Sequence, residues 1–321
     1  MVATSEDVAR AAGVSRSAVS QILNGRGQRF ATTTRERVEQ LARELGYEPS
    51  IAGRTLANGA SDIVIALIPH TTFSANFQYL YEHTTQELAA RGLTLMLRMS
   101  PPDSDSLGRL LAAVRPRAVI SFTSFSPSEL ALLDARGVVA VDPGAVPGSD
   151  GPNRFIGNMQ ATHLVDRGYR RLAFAHLHDA RQDVFGTERE EGVREVARER
   201  GLAEPASLRL DIDREQALAA LDSLGPGEYG IVCYNDEVAT ALLAAAAIRG
   251  RAVPEELGVV GMDDIPLAPL THPPLTTVRV DLASAAHSAV ASVIRGLGLE
   301  PAAAGFEQPS ITLVERESVR S

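Results

Sequence analysis

Two sets of side chains in this 321-residue sequence have the types and spacing for specific chemistry. The first is Arg16, Ser17 and Gln21, which fall on the outward side of a short helical pattern near the N-terminus. Arginine pairs with guanine, glutamine with adenine and serine with either, so the three suit hydrogen bonding to base edges in a DNA major groove. The second set sits at the ends of short apolar runs: His70, Phe122, Asp142, His176, His178, Asn235 and Asp263. In open parallel sheets a ligand binds beyond the carboxyl ends of the strands, where a few polar groups converge on it. His176 and His178, with Asp179 nearby, could ligate a metal. Two histidines without a clear third ligand fit pocket lining better, and no metal is expected. Asp263 and Asp264 could share acid–base work. Adjacent residues at a strand end point in opposite directions, so the expectation is one binding carboxylate and one capping group. Asp236 is expected to be the N-cap of the alanine-rich helix that follows it.

The elements that must position the first set are two short helices around one tight turn. Thr4 or Ser5 can cap the first, and Thr4 with Asp7 approximates a capping box. Val8, Ala9 and Ala12 share one face of it. Gly13 stops it, because the chain turns there through a left-handed conformation that glycine tolerates. Ser15 can cap the second helix, whose apolar face is Val19, Ile22 and Leu23, and Asn24-Gly25 ends it. Two helices crossing at a glycine turn make a helix-turn-helix, with the second free to enter the major groove. A third helix follows a loop holding Arg26 and Arg29. Thr33 or Thr34 can cap it, Val38, Leu41, Ala42 and Leu45 form its stripe, and Gly46 ends it. Pro49 to Gly59 reads as a two-turn helix, too short to persist alone in water and suited to folding on DNA.

The charge distribution agrees with a local DNA contact. Net charge is −9. Residues 1–60 carry eight arginines and six acidic residues, a net +2, against −11 for the remainder. A mildly basic head on an acidic body meets phosphate through the head alone. The single cysteine, Cys233, forbids an internal disulfide and fits a reducing compartment. No secretory signal is apparent, and the longest apolar run, Ala241 to Ile248, is far too short to span a bilayer. A cytoplasmic protein is the expectation, with no membrane partner.

From Asp62 onward short apolar runs alternate with longer amphipathic segments. Ile63–Ile68, Leu93–Leu97, Ala118–Phe122, Val138–Val141, Leu172–Ala175, Gly230–Tyr234 and Leu257–Gly261 read as buried strands. Phe77–Arg91, Asn158–Arg167, Thr187–Arg200 and Asp236–Arg249 read as helices. Such alternation gives parallel sheets with helices on both faces, and the run is long enough for two. The fold class is therefore an N-terminal all-α helix-turn-helix head plus an α/β body of two doubly wound parallel-sheet subdomains. The expected boundaries are 1–48 for the head, 49–61 for a hinge helix or linker, and 62–321 for the body. Within the body, 62–155 plus 280–305 form one subdomain and 156–277 plus 306–321 the other.

The head resembles the lac repressor (LacI/GalR) family of bacterial transcription regulators. The matching residues are Asp7-Val8-Ala9, Ala12-Gly13-Val14-Ser15-Arg16-Ser17, Val19-Ser20, Leu23-Asn24-Gly25, Thr34-Arg35-Glu36-Arg37-Val38 and Leu45-Gly46-Tyr47. In the body, Gly168-Tyr169-Arg170-Arg171-Leu172, the run from Val253 to Asp264, Pro273-Pro274-Leu275-Thr276-Thr277-Val278 and Leu313-Val314-Glu315-Arg316-Glu317-Ser318 extend the match. The resemblance implies a periplasmic-binding-protein-like body. It places Arg16, Ser17 and Gln21 at base-reading positions and Thr4, Ser15 and Asn24 at phosphate contacts. Leu56 falls where the family wedges a leucine into the operator's minor groove, and an apolar wedge there kinks the duplex. By position Arg189, Asn235 and Asp263 would hold an effector. A guanidinium fork, an amide and a carboxylate together match the paired hydroxyls of a sugar. Phe73 could stack on a sugar face, with His70 and His176 lining the same pocket.

The leading reading is thus a repressor that binds a near-palindromic operator as a homodimer, under control of a small-molecule effector, with no cofactor. No leucine heptad tail follows Ser318, so a dimer is expected in place of a tethered tetramer. The alternative is a cytoplasmic solute-binding protein without direct gene regulation. An enzyme is not expected: the chain has no G-x-S-x-G, no Walker A and no strand-linked G-x-G-x-x-G.

Overall fold

The structure is a computed structural model that describes residues 3–24, 27–47, 61–68, 75–99, 104–122, 125–142, 151–299 and 309–321. The head contains α1 (Ser5–Ala12), α2 (Arg16–Leu23) and α3 (Thr32–Glu44). Thr4 caps α1 through a complete capping box with Asp7, and Gly13 ends it in the left-handed region at φ 66°. Ser15 caps α2 by accepting from the amide of Ala18. α3 differs from expectation: it begins at Thr32 after Ala31, and neither Thr33 nor Thr34 caps it. Val8, Ala9, Ala12, Val19, Ile22, Val38 and Ala42 form the small core, while Leu45 lies exposed past the end of α3.

The first sheet of the body holds β1 (Ile63–Ile68), β2 (Thr94–Met99), β3 (Ala118–Ser121) and β4 (Val139–Val141), all parallel in the order β2-β1-β3-β4. Its helices are α4 (Ala75–Ala89), α5 (Ser104–Val114) and α6 (Pro127–Asp134). The side chains of β1 alternate across the sheet with period two. Val64 and Ala66 join the core with Leu88 of α4, and Ile63, Ile65 and Leu67 join the opposite core with Leu107, Leu111 and Leu133. A strand buried on both faces must be apolar throughout, and β1 is.

The second sheet is built from β5 (Leu172–Leu177), β6 (Ala206–Leu210), β7 (Tyr229–Cys233), β8 (Leu257–Met262), β9 (Thr276–Val280) and β10 (Ile311–Val314), in the order β10-β9-β8-β7-β5-β6. It is parallel except for the edge pair β9–β10. Its helices are α7 (Gly151–Asp166), α8 (Gly186–Glu199), α9 (Arg214–Ser223) and α10 (Asp236–Arg249). α11 (Leu282–Gly296) follows β9 but packs on the first sheet, where Val290, Val293 and Ile294 enter the core of β1 and β3. The chain therefore leaves the second sheet through β9 and returns to it through β10.

Two elements are longer than their sequence pattern suggests. α7 begins at Gly151, ahead of the expected Asn158. β5 runs on through Leu177, so His176 is a strand residue and not a residue beyond the strand. Short elements such as β6, α5, α6 and α9 carry no long apolar run and add to the predicted set.

Candidate functional site

In the head, Arg16 and Ser17 are exposed on the first turn of α2, and Gln21 lies one turn further along the same face. The Gln21 amide donates to Ser17 Oγ at 2.9 Å. That bond orders the two side chains as a pair. Among the described residues Arg16 shows no comparable anchor. Ser15 Oγ accepts from Ala18 N at 3.1 Å, which leaves its hydroxyl proton as a donor at the N-terminus of α2. Anions are favoured at such a terminus because the first amide N–H groups point outward. Thr4 is committed differently: its hydroxyl donates to Asp7 Oδ2 at 2.7 Å and its amide to the same oxygen at 2.9 Å. Those hydrogen bonds hold the Asp7 carboxyl below its usual range. Asn24 donates to Ser20 O at 2.7 Å and so closes α2. The expected DNA-facing residues thus divide into a reading set, Arg16, Ser17 and Gln21, and a framing set, Thr4, Ser15 and Asn24.

In the body the second sheet brings Arg189, Asn235 and Asp263 to one edge. Asn235 and Asp263 follow the adjacent parallel strands β7 and β8. Arg189 comes from α8 and is 6% exposed. Its Nη1 donates to Tyr234 O at 2.5 Å and its Nε to Asn153 Oδ1 at 3.2 Å. Its guanidinium lies over the rings of Tyr234 and Phe185, with the carbon 5.1 and 5.6 Å from their centroids. Close packing makes the Asn153 contact possible. A Cβ on Gly157 would sit 1.9 Å from Arg189 O, and one on Gly192 2.2 Å from Arg154 O. Only glycines let α7 and α8 approach this closely. Tyr234 is in turn fixed by its hydroxyl, which donates to Gln182 O at 3.0 Å.

The acidic side of this edge holds two unlike carboxylates. Asp236 was expected to cap α10; the cap is Asn235, whose Oδ1 accepts from Val238 N at 3.0 Å. Asp236 instead points into the protein, accepting from Thr277 Oγ1 at 2.5 Å and from Ile265 N at 2.9 Å. It is fully buried, and burial pushes its pKa up to about 7. Asp263 is also pushed up to about 7, first by burial and then by the charges of Asp236 and Glu237, with Arg189 pulling the other way. Asp263 and Asp264 occupy positive-φ conformations at 107° and 49°, uncommon for residues with a side chain. Asp264 corrects a second expectation. It caps nothing; Arg279 Nε at 2.7 Å and Arg316 Nη2 at 2.6 Å donate to its carboxylate. Burial opposes those two guanidiniums, yet they hold its pKa below the ordinary value. Asn76, on the first turn of α4, donates to the backbone oxygen of Asp263 across from the first sheet.

His176 lies apart from that edge. It is 1% exposed, with Nδ1 2.7 Å from Asp183 Oδ2 and Nε2 3.3 Å from Glu190 Oε2. Arg194 reaches Glu190 at 3.0 Å and Arg209 reaches Asp183 at 3.6 Å. Burial alone would lower the imidazole pKa, but the hydrogen bond to Asp183 and the nearby Glu190 carboxylate raise it. Both ring nitrogens face protein carboxylates, so the pocket-lining expectation for His176 is corrected: the continuation of β5 carries it into the core. His178 is exposed at the strand end. Among the described residues no group of histidine, cysteine and acidic side chains could hold a metal. Leu56, His70 and Phe73 lie outside the described residues. Sequence reasoning did not foresee Asn76, Asn153 and Tyr234 as supports of the site, and it took Asp236 for a cap and Asp264 for a capping group.

A separate apolar groove of about 460 Å³ runs between α9, α10 and the turn after β8, lined by Ile212, Ala241, Ala244, Ile248, Ile265 and Leu267 among others. Among the described residues no helix is long and apolar enough to cross a membrane.

Comparison with known proteins adds to this geometry. A family model described as bacterial regulatory proteins of the lacI family matches residues 4–50, and one for a periplasmic binding protein-like domain matches residues 161–319. The chain is 30% identical to a ribose operon repressor of Halalkalibacterium halodurans, over 86% of this chain and 85% of that protein. It is also 30% identical to the HTH-type transcriptional regulator MalR of Streptomyces coelicolor, over 92% and 90%. Among solved structures, a lac repressor dimer bound to operator and an anti-inducer has the same fold, with a TM-score of 0.79 at 21% identity over the full length of both chains. A complex of the transcriptional regulator CelR with cellobiose matches at a TM-score of 0.64 and 25% identity, over 98% and 99%.

Proposed function

The chain belongs to the lacI family of bacterial regulatory proteins, and on that premise we propose that it is a repressor whose grip on an operator is set by a sugar bound between its two body subdomains. The observation that carries the proposal is the convergence of Arg189, Asn235 and Asp263 on one sheet edge, with Asn76 of the first subdomain bonded to the Asp263 backbone. A ligand seated there touches both subdomains. It can shift their relation by as much as its affinity differs between the two arrangements.

Each residue has a part in this reading. Arg189, held from behind by Tyr234 and Asn153, presents the rest of its fork to ligand hydroxyls. Asn235 uses its oxygen as a cap and has its amide protons to donate. Asp263 accepts, or donates when protonated. His70 and Phe73 are the further effector contacts in this reading, whereas His176, held between Asp183 and Glu190, is not one. Arg16, Ser17 and Gln21 read bases, Thr4, Ser15 and Asn24 frame the phosphate contacts, and Leu56 enters the minor groove from the linker over 49–61. Two heads on a near-palindromic operator require a homodimer. Ile212, Ile248, Leu267 and Leu270, exposed around the apolar groove, are surface that self-association would cover. The protein acts in the cytoplasm, where its DNA is, and performs no catalysis.

The test is a thermal-shift screen of the chain against D-ribose, D-glucose, maltose and cellobiose, followed by fluorescence anisotropy on the duplex it selects from a randomised pool. Binding to the folded state raises the melting temperature by mass action. The expected result is one sugar that both stabilises the chain and changes its DNA affinity. A sugar that stabilises it without touching DNA affinity supports the solute-binding alternative instead.

A further inference from the structure

The turn that presents Asp263 is gripped at more points than its conformation alone requires. Asp263 N donates to Val278 O on β9 at 2.8 Å. Ile265 N donates to Asp236. Between them the Asp264 carboxylate, in a side chain that is 8% exposed, takes Arg279 on one oxygen and Arg316 on the other. Two successive non-glycine residues at positive φ persist only where the surroundings over-determine them. The surroundings here are the two segments that carry the chain between the subdomains. Arg279 belongs to β9, two residues before Asp281, the N-cap of α11 that packs on the first sheet. Arg316 follows β10, the strand by which the chain returns, and is itself fixed to Leu275 O at 2.7 Å and to Thr276 Oγ1 at 2.9 Å.

We propose that Asp264 is the positioning residue that couples the effector site to the subdomain crossover, because its carboxylate ties the turn bearing Asp263 to the outgoing strand through Arg279 and to the returning strand through Arg316. The inference rests on the effector reading given above. A ligand that pulls on Asp263 moves the turn, and the paired guanidiniums pass that displacement to β9, to α11 and to the return strand. Asp264 need not touch the ligand. Its 8% exposed side chain accepts two charge-assisted bonds, one from the exposed Arg279 and one from the part-buried Arg316, and such bonds are stronger than neutral ones. Its loss uncouples two sites that remain individually intact.

The test uses the full chain, with D-ribose, D-glucose, maltose and cellobiose as probes and the selected duplex as operator. For wild type and for Asp264→Asn, Arg279→Gln and Asp264→Glu, three quantities are measured: sugar affinity without DNA, DNA affinity without sugar, and DNA affinity at saturating sugar. Coupling is the ratio of the last two, and linkage requires DNA to change sugar affinity by the same factor. Asp264→Asn is expected to leave both single affinities within about two-fold while the coupling ratio falls at least about five-fold, the lower end of ordinary allosteric factors. Arg279→Gln, on the more exposed partner, should lower the ratio while keeping the fold, and Asp264→Glu should restore part of it. An unchanged ratio in both Asp264→Asn and Arg279→Gln overturns the proposal, as does abolished sugar affinity in a folded Asp264→Asn chain, which makes Asp264 a ligand contact. A wild type that binds the duplex but responds to none of the four sugars overturns the effector reading itself, and the proposal falls with it.

Discussion

The second subdomain keeps two acidic clusters within one sheet, and they are built in opposite ways. Around β5 the carboxylates of Asp183 and Glu190 enclose His176, and Arg194 and Arg209 neutralise them from outside. At the ends of β7 and β8 Asp236 is buried and Asp263 half-buried, and among the described residues the cation acting on Asp263 is Arg189, whose fork is already partly spent on Tyr234 and Asn153. The first cluster is closed: its charges answer each other. The second is open: burial raises both carboxyl pKa values because too little positive charge compensates them. A cluster whose charges are answered holds a fold together, whereas one short of positive charge leaves acidic groups that a ligand's donors can meet. The same division runs through the head, where Thr4 and Asn24 are engaged within the protein and Arg16, among the described residues, is not.

The largest effect should come from opening the closed cluster. His176→Leu leaves two buried carboxylates facing an apolar side chain, with only Arg194 and Arg209 to offset them. Breaking a buried ion pair by deleting one partner costs about 3–5 kcal/mol, and the two arginines put the expected loss near 3 kcal/mol. Urea unfolding at pH 7 should show it as a lower midpoint at an unchanged slope. A loss under about 1 kcal/mol would mean that His176 is no better paired than Asp263, and the contrast between the clusters would fail.

In the head the same contrast separates reading from framing. Arg16→Ala should cost about 1–3 kcal/mol on the selected duplex and little on random DNA, because base contacts specify and phosphate contacts position. Gln21→Ala should do likewise at another base, and it should free Ser17 from its 2.9 Å bond. Anisotropy titrations on selected and scrambled duplexes give both numbers. Equal losses on the two would move Arg16 from the reading set to the framing set.

Protonation sharpens the comparison between clusters. Asp236 and Asp263 titrate near pH 7 in the folded chain against an ordinary 3.8. Between those values the folded state holds protons that the unfolded chain has released. Their contribution to stability is therefore largest at pH 4 and is lost as the pH rises to 7, by at most about 1.4 kcal/mol per pH unit for each group. His176 acts in a different window. Its pKa is raised above 6.5, so its contribution is complete below 6.5 and is lost as the pH rises through the higher folded value. Asp263→Asn should flatten the lower window only and raise stability at pH 7 while abolishing the sugar response, the usual exchange between a strained site and its function. Urea midpoints from pH 4 to 9 separate the windows. A lower window as steep in Asp263→Asn as in wild type would place the proton elsewhere.

Much of this was legible in the residues because local signals decided it. Thr4, Gly13 and Ser15 each act through neighbours three or four residues away, and all three do what their types predict. The strand ends located Asn235 and Asp263 because a parallel sheet exposes its carboxyl edge. Tertiary context overrode local rules elsewhere. Asp236 looks like a cap, but Asn235 precedes it with the same capability and takes the role, which releases Asp236 to face Thr277, 41 residues distant in sequence. His176 looks like the first residue beyond a strand, but pairing with Arg209 on β6 extends β5 past it. Asn153 and Asn76 carry no motif; packing alone brings them to Arg189 and to Asp263.

Ser15 is where the two behaviours meet in one residue, and it gives the finest test. Its oxygen accepts from Ala18 N, a framing role, while its proton remains to donate toward phosphate. Ser15→Ala removes both and should cost α2 about 1 kcal/mol, the usual value of an N-cap. Ser15→Asp separates them. Aspartate caps as well as serine and suits the positive end of the helix dipole, so hydrogen exchange of the α2 amides in the full chain should stay at or above the wild-type protection. Its charge faces the same phosphate that the serine proton would meet, so DNA affinity should fall further than in Ser15→Ala, and the deficit against wild type should narrow as added salt screens the repulsion. If Ser15→Asp binds DNA as well as wild type, Ser15 frames the helix alone, and the phosphate contact belongs to the backbone amides that follow it.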